Sequence, residues 1–198
     1  MKNFFHAAAI LIDPAAAWPR VAKEPADWLD LMTRYVALLA FIPVLSGFVG
    51  ACIVGVIVPG AGVVRAALFD GIFGAIFFYL ENFVLVAALG VLVHLGAPLF
   101  GGRRNFAAAL TLAVYSYTPV WLAGIFLLLP GLRFLTLLGC YGAYLLLVGL
   151  PPMTQTPPSR SRVFAALLVL ATFVLTLFAG WAQHRVFSGT AGIWITAP

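Results

Sequence analysis

Long apolar stretches alternate with short polar interruptions along the chain, and five of them approach the length a membrane-crossing helix needs, about 20 residues. They run at about Tyr35–Val58, Gly71–Leu99, Phe106–Leu129, Phe134–Leu150 and Val163–Gln183. Helix breakers divide them: Pro59-Gly60 closes the first, Gly101-Gly102-Arg103-Arg104-Asn105 separates the second from the third, and Pro130-Gly131 closes the third. Pro151-Pro152 to Arg162 reads as the one long polar connection. No stretch alternates with period two, which argues against a membrane β-barrel. The pattern predicts an all-α integral membrane protein. It has five transmembrane helices within residues 35–185, an N-terminal interfacial amphipathic segment at 1–34 and an outer-side tail at 186–198.

The N-terminal segment has its own signals. Asp13-Pro14 predicts a helix start, because the carboxylate can cap free backbone N–H groups and proline suits the first helical position. Trp18 and Trp28 suit the headgroup level, on interfacial helices that lead into the first span. Asp13, Pro14, Trp18, Glu24, Pro25 and Trp28 are therefore the candidate interfacial and partner-binding residues. Ala7 to Ile12 is too short for the apolar core of a signal peptide, and Asp13-Pro14 interrupts it, so the segment is expected to be retained. In the tail, Trp194 between Ile193 and Ile195 is expected to anchor to the outer leaflet.

Composition removes whole classes of function. Hydrophobic residues make up 64% of the chain and charged residues 9%, with a mean hydropathy of +1.09. Soluble domains run at about 45–50% apolar and about 25% charged. A soluble enzyme, a nucleic-acid-binding domain and a disordered tail are excluded. The net charge of +5 comes from basic residues scattered among the connections, without a stripe that could track a phosphate backbone. Those residues report topology instead. With the N-terminus inside, Lys2, Arg20, Lys23, Arg34, Arg103, Arg104, Arg160 and Arg162 are cytoplasmic, and only Arg65, Arg133 and Arg185 lie outside. The positive-inside rule then predicts N-in, C-out.

Glu81 is the charged residue expected near the bilayer middle, about 15 Å into the second run. A charge there costs roughly 2.5–3.5 kcal/mol on insertion scales, so Glu81 must face protein or water. Its own helical neighbours are apolar; partners must come from another helix, or Asn82 must act toward a different one. Tyr115, Tyr117 and Thr118 of the third run, Tyr141 and Tyr144 of the fourth, Ser46 of the first and Thr172 of the fifth fall at similar depth. This predicts a mid-membrane polar layer, read either as interhelical hydrogen-bonded glue or as the lining of a pathway. The candidate intramembrane site is Glu81, Asn82, Tyr115, Tyr117, Thr118, Tyr141 and Tyr144.

Other features argue packing. Pro43 and Pro119 interrupt backbone hydrogen bonding inside their runs and are candidate kinks. Ser46–Gly50, Ala51–Gly55 and Gly71–Ala75 are small-residue pairs that let helices approach. Cys52 and Cys140 lie in apolar runs as small packing residues. His94 is expected near the inner interface, and His6 and His184 lie outside the spans, so no metal or other cofactor is expected. No phosphate-binding glycine loop, zinc motif or Ser/His/Asp set at a shared depth is present, and no enzymatic activity is expected.

Three places resemble the Yip family of Ypt/Rab-interacting multispanning membrane proteins. Leu11-Ile12-Asp13-Pro14, Trp18 and Lys23-Glu24-Pro25 are similar to its lead-in to the first span. Tyr115-Ser116-Tyr117-Thr118-Pro119 resembles its YxxxP signature, and Tyr141, Tyr144 and Gly149-Leu150-Pro151 resemble its YxxYLxxxGL pattern. The resemblance covers nearly the whole chain and looks like a small bacterial member. It implies a non-enzymatic multispanning protein, and the short, Ala- and Leu-rich chain points to a bacterial inner membrane. With the aromatic lead-in and the lack of catalytic groups, the leading reading is a scaffold that organises lipid or binds other membrane proteins, or further copies of itself, through the interfacial N-terminus. Eukaryotic relatives bind Rab GTPases through a long acidic N-terminal region; only about 34 residues precede the first span here, which argues against Rab binding. The competing reading is a transporter or channel for protons, cations or a lipid-like solute, with Glu81 as its coupling residue.

Overall fold

The computed structural model describes residues 2–24, 27–58 and 62–188. Pro25 and the tail around Trp194 lie outside the described residues. The chain is all-α in class, and among the described residues five helices are long and apolar enough to cross a membrane: Trp28–Val54, Leu68–Phe100, Phe106–Leu128, Pro130–Thr154 and Pro158–Gln183. They are called spans one to five below. Two short helices, α1 (Lys2–Ile12) and α2 (Pro14–Val21), precede them.

Several boundaries differ from the sequence reading, for local reasons. The first span begins at Trp28, where Asp27 Oδ1 accepts from the backbone N–H groups of Leu29 and Asp30. Its central α-helix Ala37–Phe48 is flanked by π-helical turns at Leu31–Val36 and Val49–Val54. Beyond it, Val56–Val58 and Gly62–Val64 pair antiparallel as a small hairpin, β1–β2, which the run pattern did not predict.

Pro130-Gly131 opens the fourth span rather than merely ending the third. Proline needs no backbone partner at a helix start, and residues Pro130–Cys140 wind as a 3₁₀-helix before the α-helix Tyr141–Thr154 takes over. The expected long connection from Pro151 is also corrected. Pro151 and Pro152 stay inside the helix while Leu150 and Met153 beside them are buried, and the turn falls at Gln155, whose φ is +57°. Arg160 and Arg162 belong to the first turns of the fifth span.

Spans one, three and five start, and spans two and four finish, at one end of the bundle; β1–β2 lies at the other. The two connections at the first end are tied together, as Arg103 N–H donates to the Thr154 carbonyl at 2.8 Å and the Phe100 and Phe164 rings stack at 4.5 Å. Asn105 caps the third span by accepting from Ala108 N–H.

The third span is the core of the molecule: residues 111–119 are all buried, and spans one, two and four pack around it. Close approach explains several small residues. A Cβ on Gly50 would strike the Leu127 carbonyl, one on Gly71 would strike Cys52 Sγ, and one on Gly124 would strike Pro43. Span five is the least buried of the five.

Candidate functional site

The polar residues expected at one depth do not share a site. Their azimuths on the helices sort them into separate groups around the third span.

Tyr115 and Thr118 are three residues apart and lie on one helix face. They meet the first span and the N-terminal helices. The Tyr115 ring lies 5.4 Å from Tyr35, 6.3 Å from Trp18 and 6.5 Å from His6, each edge to face. The Tyr35 and Thr118 hydroxyls share a 2.8 Å hydrogen bond. Both rings bury large areas while keeping hydroxyl partners or aromatic edges, which is how tyrosine is held inside a protein.

Trp18 corrects the sequence expectation. It is 0% exposed and does not sit at the headgroup level; protein surrounds it. Its indole rests on Gly149 of the fourth span, where a Cβ would come within 2.5 Å of the ring and 2.6 Å of Leu112 Cδ1. Only glycine leaves this socket open. Asp13 caps α2 by accepting from Ala16 N–H at 3.2 Å, with Pro14 in its first turn.

Helices α1 and α2 therefore form a hairpin against spans three and four. Asn3 Nδ2 donates to Asp30 Oδ2 at 2.8 Å, and His6 Nε2 lies 3.4 Å from Glu24 Oε2. At the other end of α1, the Tyr141 hydroxyl donates to the Leu11 carbonyl at 3.1 Å. The Tyr144 ring lies tilted against Tyr141, centroids 5.6 Å apart, and is exposed. Trp28 is also exposed and packs its ring on Phe106 at 6.3 Å.

On the second span, Asn82 turns toward the third. Its Nδ2 donates to the Phe78 carbonyl at 2.7 Å, which leaves Oδ1 to accept from Trp121 Nε1 at 2.9 Å. Glu81, one residue earlier, points elsewhere. Its Oε2 is buried without a hydrogen-bond partner, and it lies near Tyr117, which faces Thr176 of the fifth span. Ser116, Tyr117 and Thr176 line a cavity of about 300 Å³ between spans three, four and five, and Ser116 Oγ there has no partner. His94 lies 5.8 Å from Phe106, far along the helix from Glu81.

Pro43 packs against Gly124, and Pro119 is buried within the third span. Among the described residues no group of three or more His, Cys, Asp or Glu is placed to hold a metal. Trp121 and Tyr35 are not site residues in the sequence reading, and Ser116 and Gly149 enter it only as members of the family-like motifs. Trp121 carried the one usable signal, since an indole N–H deep in an apolar run needs an acceptor.

The Yip1 domain family profile matches residues 8–180, which takes in the Trp18–Gly149 socket, the first four spans and the fifth as far as Gly180. The inner membrane protein YohC of Escherichia coli K12 is 30% identical over 149 residues, covering 73% of this chain and 76% of YohC. YohC of Escherichia coli O6:H1 matches with the same figures. No solved structure matches. With a family match across most of its length and five membrane-spanning helices, the chain belongs to the Yip1 domain family of membrane proteins.

Proposed function

We propose that the protein is a non-enzymatic scaffold of a bacterial inner membrane, oriented N-in, C-out, that organises lipid around an N-terminal helical hairpin dipping into one leaflet. The observation that carries this reading is the bond from Tyr141 to the Leu11 carbonyl. Tyr141 stands 13 residues from the Thr154 end of its span, and Leu11 stands 8 residues along α1 from Asn3, which is bonded to Asp30. At 1.5 Å per residue the hairpin tip is about 12 Å in from Asn3 and up to about 20 Å from Thr154 along the fourth span. One leaflet contributes about half of a 30 Å hydrocarbon core. Phe5 and Ile12 point outward from the hairpin, with Ile12 85% exposed, which fits acyl chains better than water.

Depth-resolved quenching tests it. A fluorophore on Ile12→Cys, in a background without Cys52 and Cys140, is expected to be quenched more by nitroxides partway down the acyl chain than by headgroup nitroxides. Quenching by headgroup nitroxides alone overturns the inserted hairpin.

One observation favours a second reading, transport. Glu81 keeps a buried, unpartnered carboxyl oxygen near Tyr117, and Tyr117 lines a cavity bordered by the 3₁₀ half of the fourth span. Interrupted helices around a midplane cavity are a feature of transporters. Proteoliposomes carrying the wild type and Glu81→Gln separate the readings: lower proton or cation flux in the variant supports transport, and equal flux removes it.

A further inference from the structure

A groove of about 610 Å³ runs between spans four and five, lined by Ala143 and Leu147 on one side and by Ala166, Val169 and Phe173 on the other. The alanines create it, because larger side chains at those positions would close the seam. Arg162 stands at one end of the groove. It is exposed and forms no hydrogen bond or ion pair among the described residues. Ala143, Val169 and Phe173 are shared with the 300 Å³ cavity, so the groove leads inward at its other end.

The dimensions and the charge identify an occupant. From Arg162 to Phe173 is 11 residues of helix, or about 16 Å at 1.5 Å per residue. One leaflet of hydrocarbon is about 15 Å deep, half of a 30 Å core. The cation therefore sits one acyl-chain length from the cavity mouth, at the helix end where a lipid phosphate lies. Its volume falls in the range of small-molecule sites, about 300–1,000 Å³. The walls are apolar apart from the arginine, and the flanking positions Leu167, Leu170 and Val163 are exposed, so entry is from the bilayer and not from water.

We propose that this groove is a binding site for one anionic glycerophospholipid, its phosphate at Arg162 and one acyl chain laid between spans four and five toward Phe173. The assignment needs only that spans four and five cross the bilayer; it is independent of the hairpin's depth and of any transport.

Native mass spectrometry of the full chain, titrated with phosphatidylglycerol or with a diacylglycerol of the same chains, tests it. A juxtamembrane Arg contributes about 1 kcal/mol toward anionic lipid. Phosphatidylglycerol is therefore expected to bind one per chain and about fivefold tighter than diacylglycerol. Arg162→Gln, at an exposed position, is expected to weaken phosphatidylglycerol about fivefold and leave diacylglycerol unchanged. Arg160→Gln, outside the groove, is expected to change neither. Ala166→Trp is expected to abolish both, with the monodisperse elution profile retained. Equal binding of the two lipids, or equal loss in Arg162→Gln and Arg160→Gln, overturns the site. So does a dimer that Ala166→Trp dissociates, since a second copy would then occupy the groove.

Discussion

Trp121 and Asn82 share a buried 2.9 Å hydrogen bond that ties the core third span to the second. The Asn82 amide is first fixed to its own helix by the bond to Phe78, so its oxygen is already oriented when the indole arrives. Both side chains are buried, Trp121 completely. Interhelical bonds of this kind contribute about 0.6 kcal/mol on average in membrane proteins and up to about 1.7. The fixed acceptor places this one at the upper end. Asn82→Val and Trp121→Phe, alone and together, are expected to show a coupling energy above about 1 kcal/mol when unfolding is titrated in mixed micelles. Additive losses would mean the bond contributes nothing beyond the water and alternative partners it replaces.

The Gly149 socket predicts a separable defect. Gly149→Ala places a methyl group against both Trp18 and Leu112, and the helix backbone holds it there. Overpacking of this kind costs about 1–3 kcal/mol. The strain is relieved most readily by lifting α2, an eight-residue helix that lies outside the five spans. Gly149→Ala is therefore expected to expose Ile10, now 1% exposed, while the five spans stay inserted. Maleimide labelling of Ile10→Cys should accelerate in the Gly149→Ala background and stay slow in the parent. Unchanged labelling would show that the third and fourth spans move apart instead.

The sequence was informative about depth and silent about direction. Runs of apolar residues set where the five spans lie, because a helix rises a fixed distance per residue. The same arithmetic placed Tyr115, Tyr117, Tyr141 and Glu81 at one level. It could not separate them, since the rotation of a helix in a bilayer is set by packing against its neighbours. Tyr115 turned toward Trp18, Tyr117 toward Thr176, and Tyr141 toward Leu11. Trp18 illustrates the same limit. An amphipathic ring next to a span is expected at the headgroups, and only the missing side chain of Gly149, 131 positions later, says that a pocket is waiting for it. Pro130 marks a different limit: a proline shows a boundary, but composition does not say whether the next helix starts at it or several residues later.

Asp13 offers the sharpest test of where the hairpin sits. It lies at the tip between α1 and α2, is exposed, and caps α2 through Oδ1. Removing the cap with Asp13→Ala is expected to cost about 1 kcal/mol relative to the equally uncharged Asp13→Asn wherever the tip resides. Asp13→Asn keeps an oxygen to accept from Ala16 N–H but carries no charge. Asparagine and aspartate cap equally well in water, so an interfacial hairpin predicts no difference between them. A tip immersed in acyl chains predicts a gain, because a carboxylate near the centre of a membrane helix costs up to about 3.5 kcal/mol and less toward the interface. Thermal unfolding in lipid nanodiscs is therefore expected to rank Asp13→Asn above the wild type and Asp13→Ala below Asp13→Asn. The same comparison in detergent micelles, where water reaches the tip, should bring Asp13→Asn and the wild type together. A wild type as stable as Asp13→Asn in nanodiscs would return the hairpin to the headgroup layer.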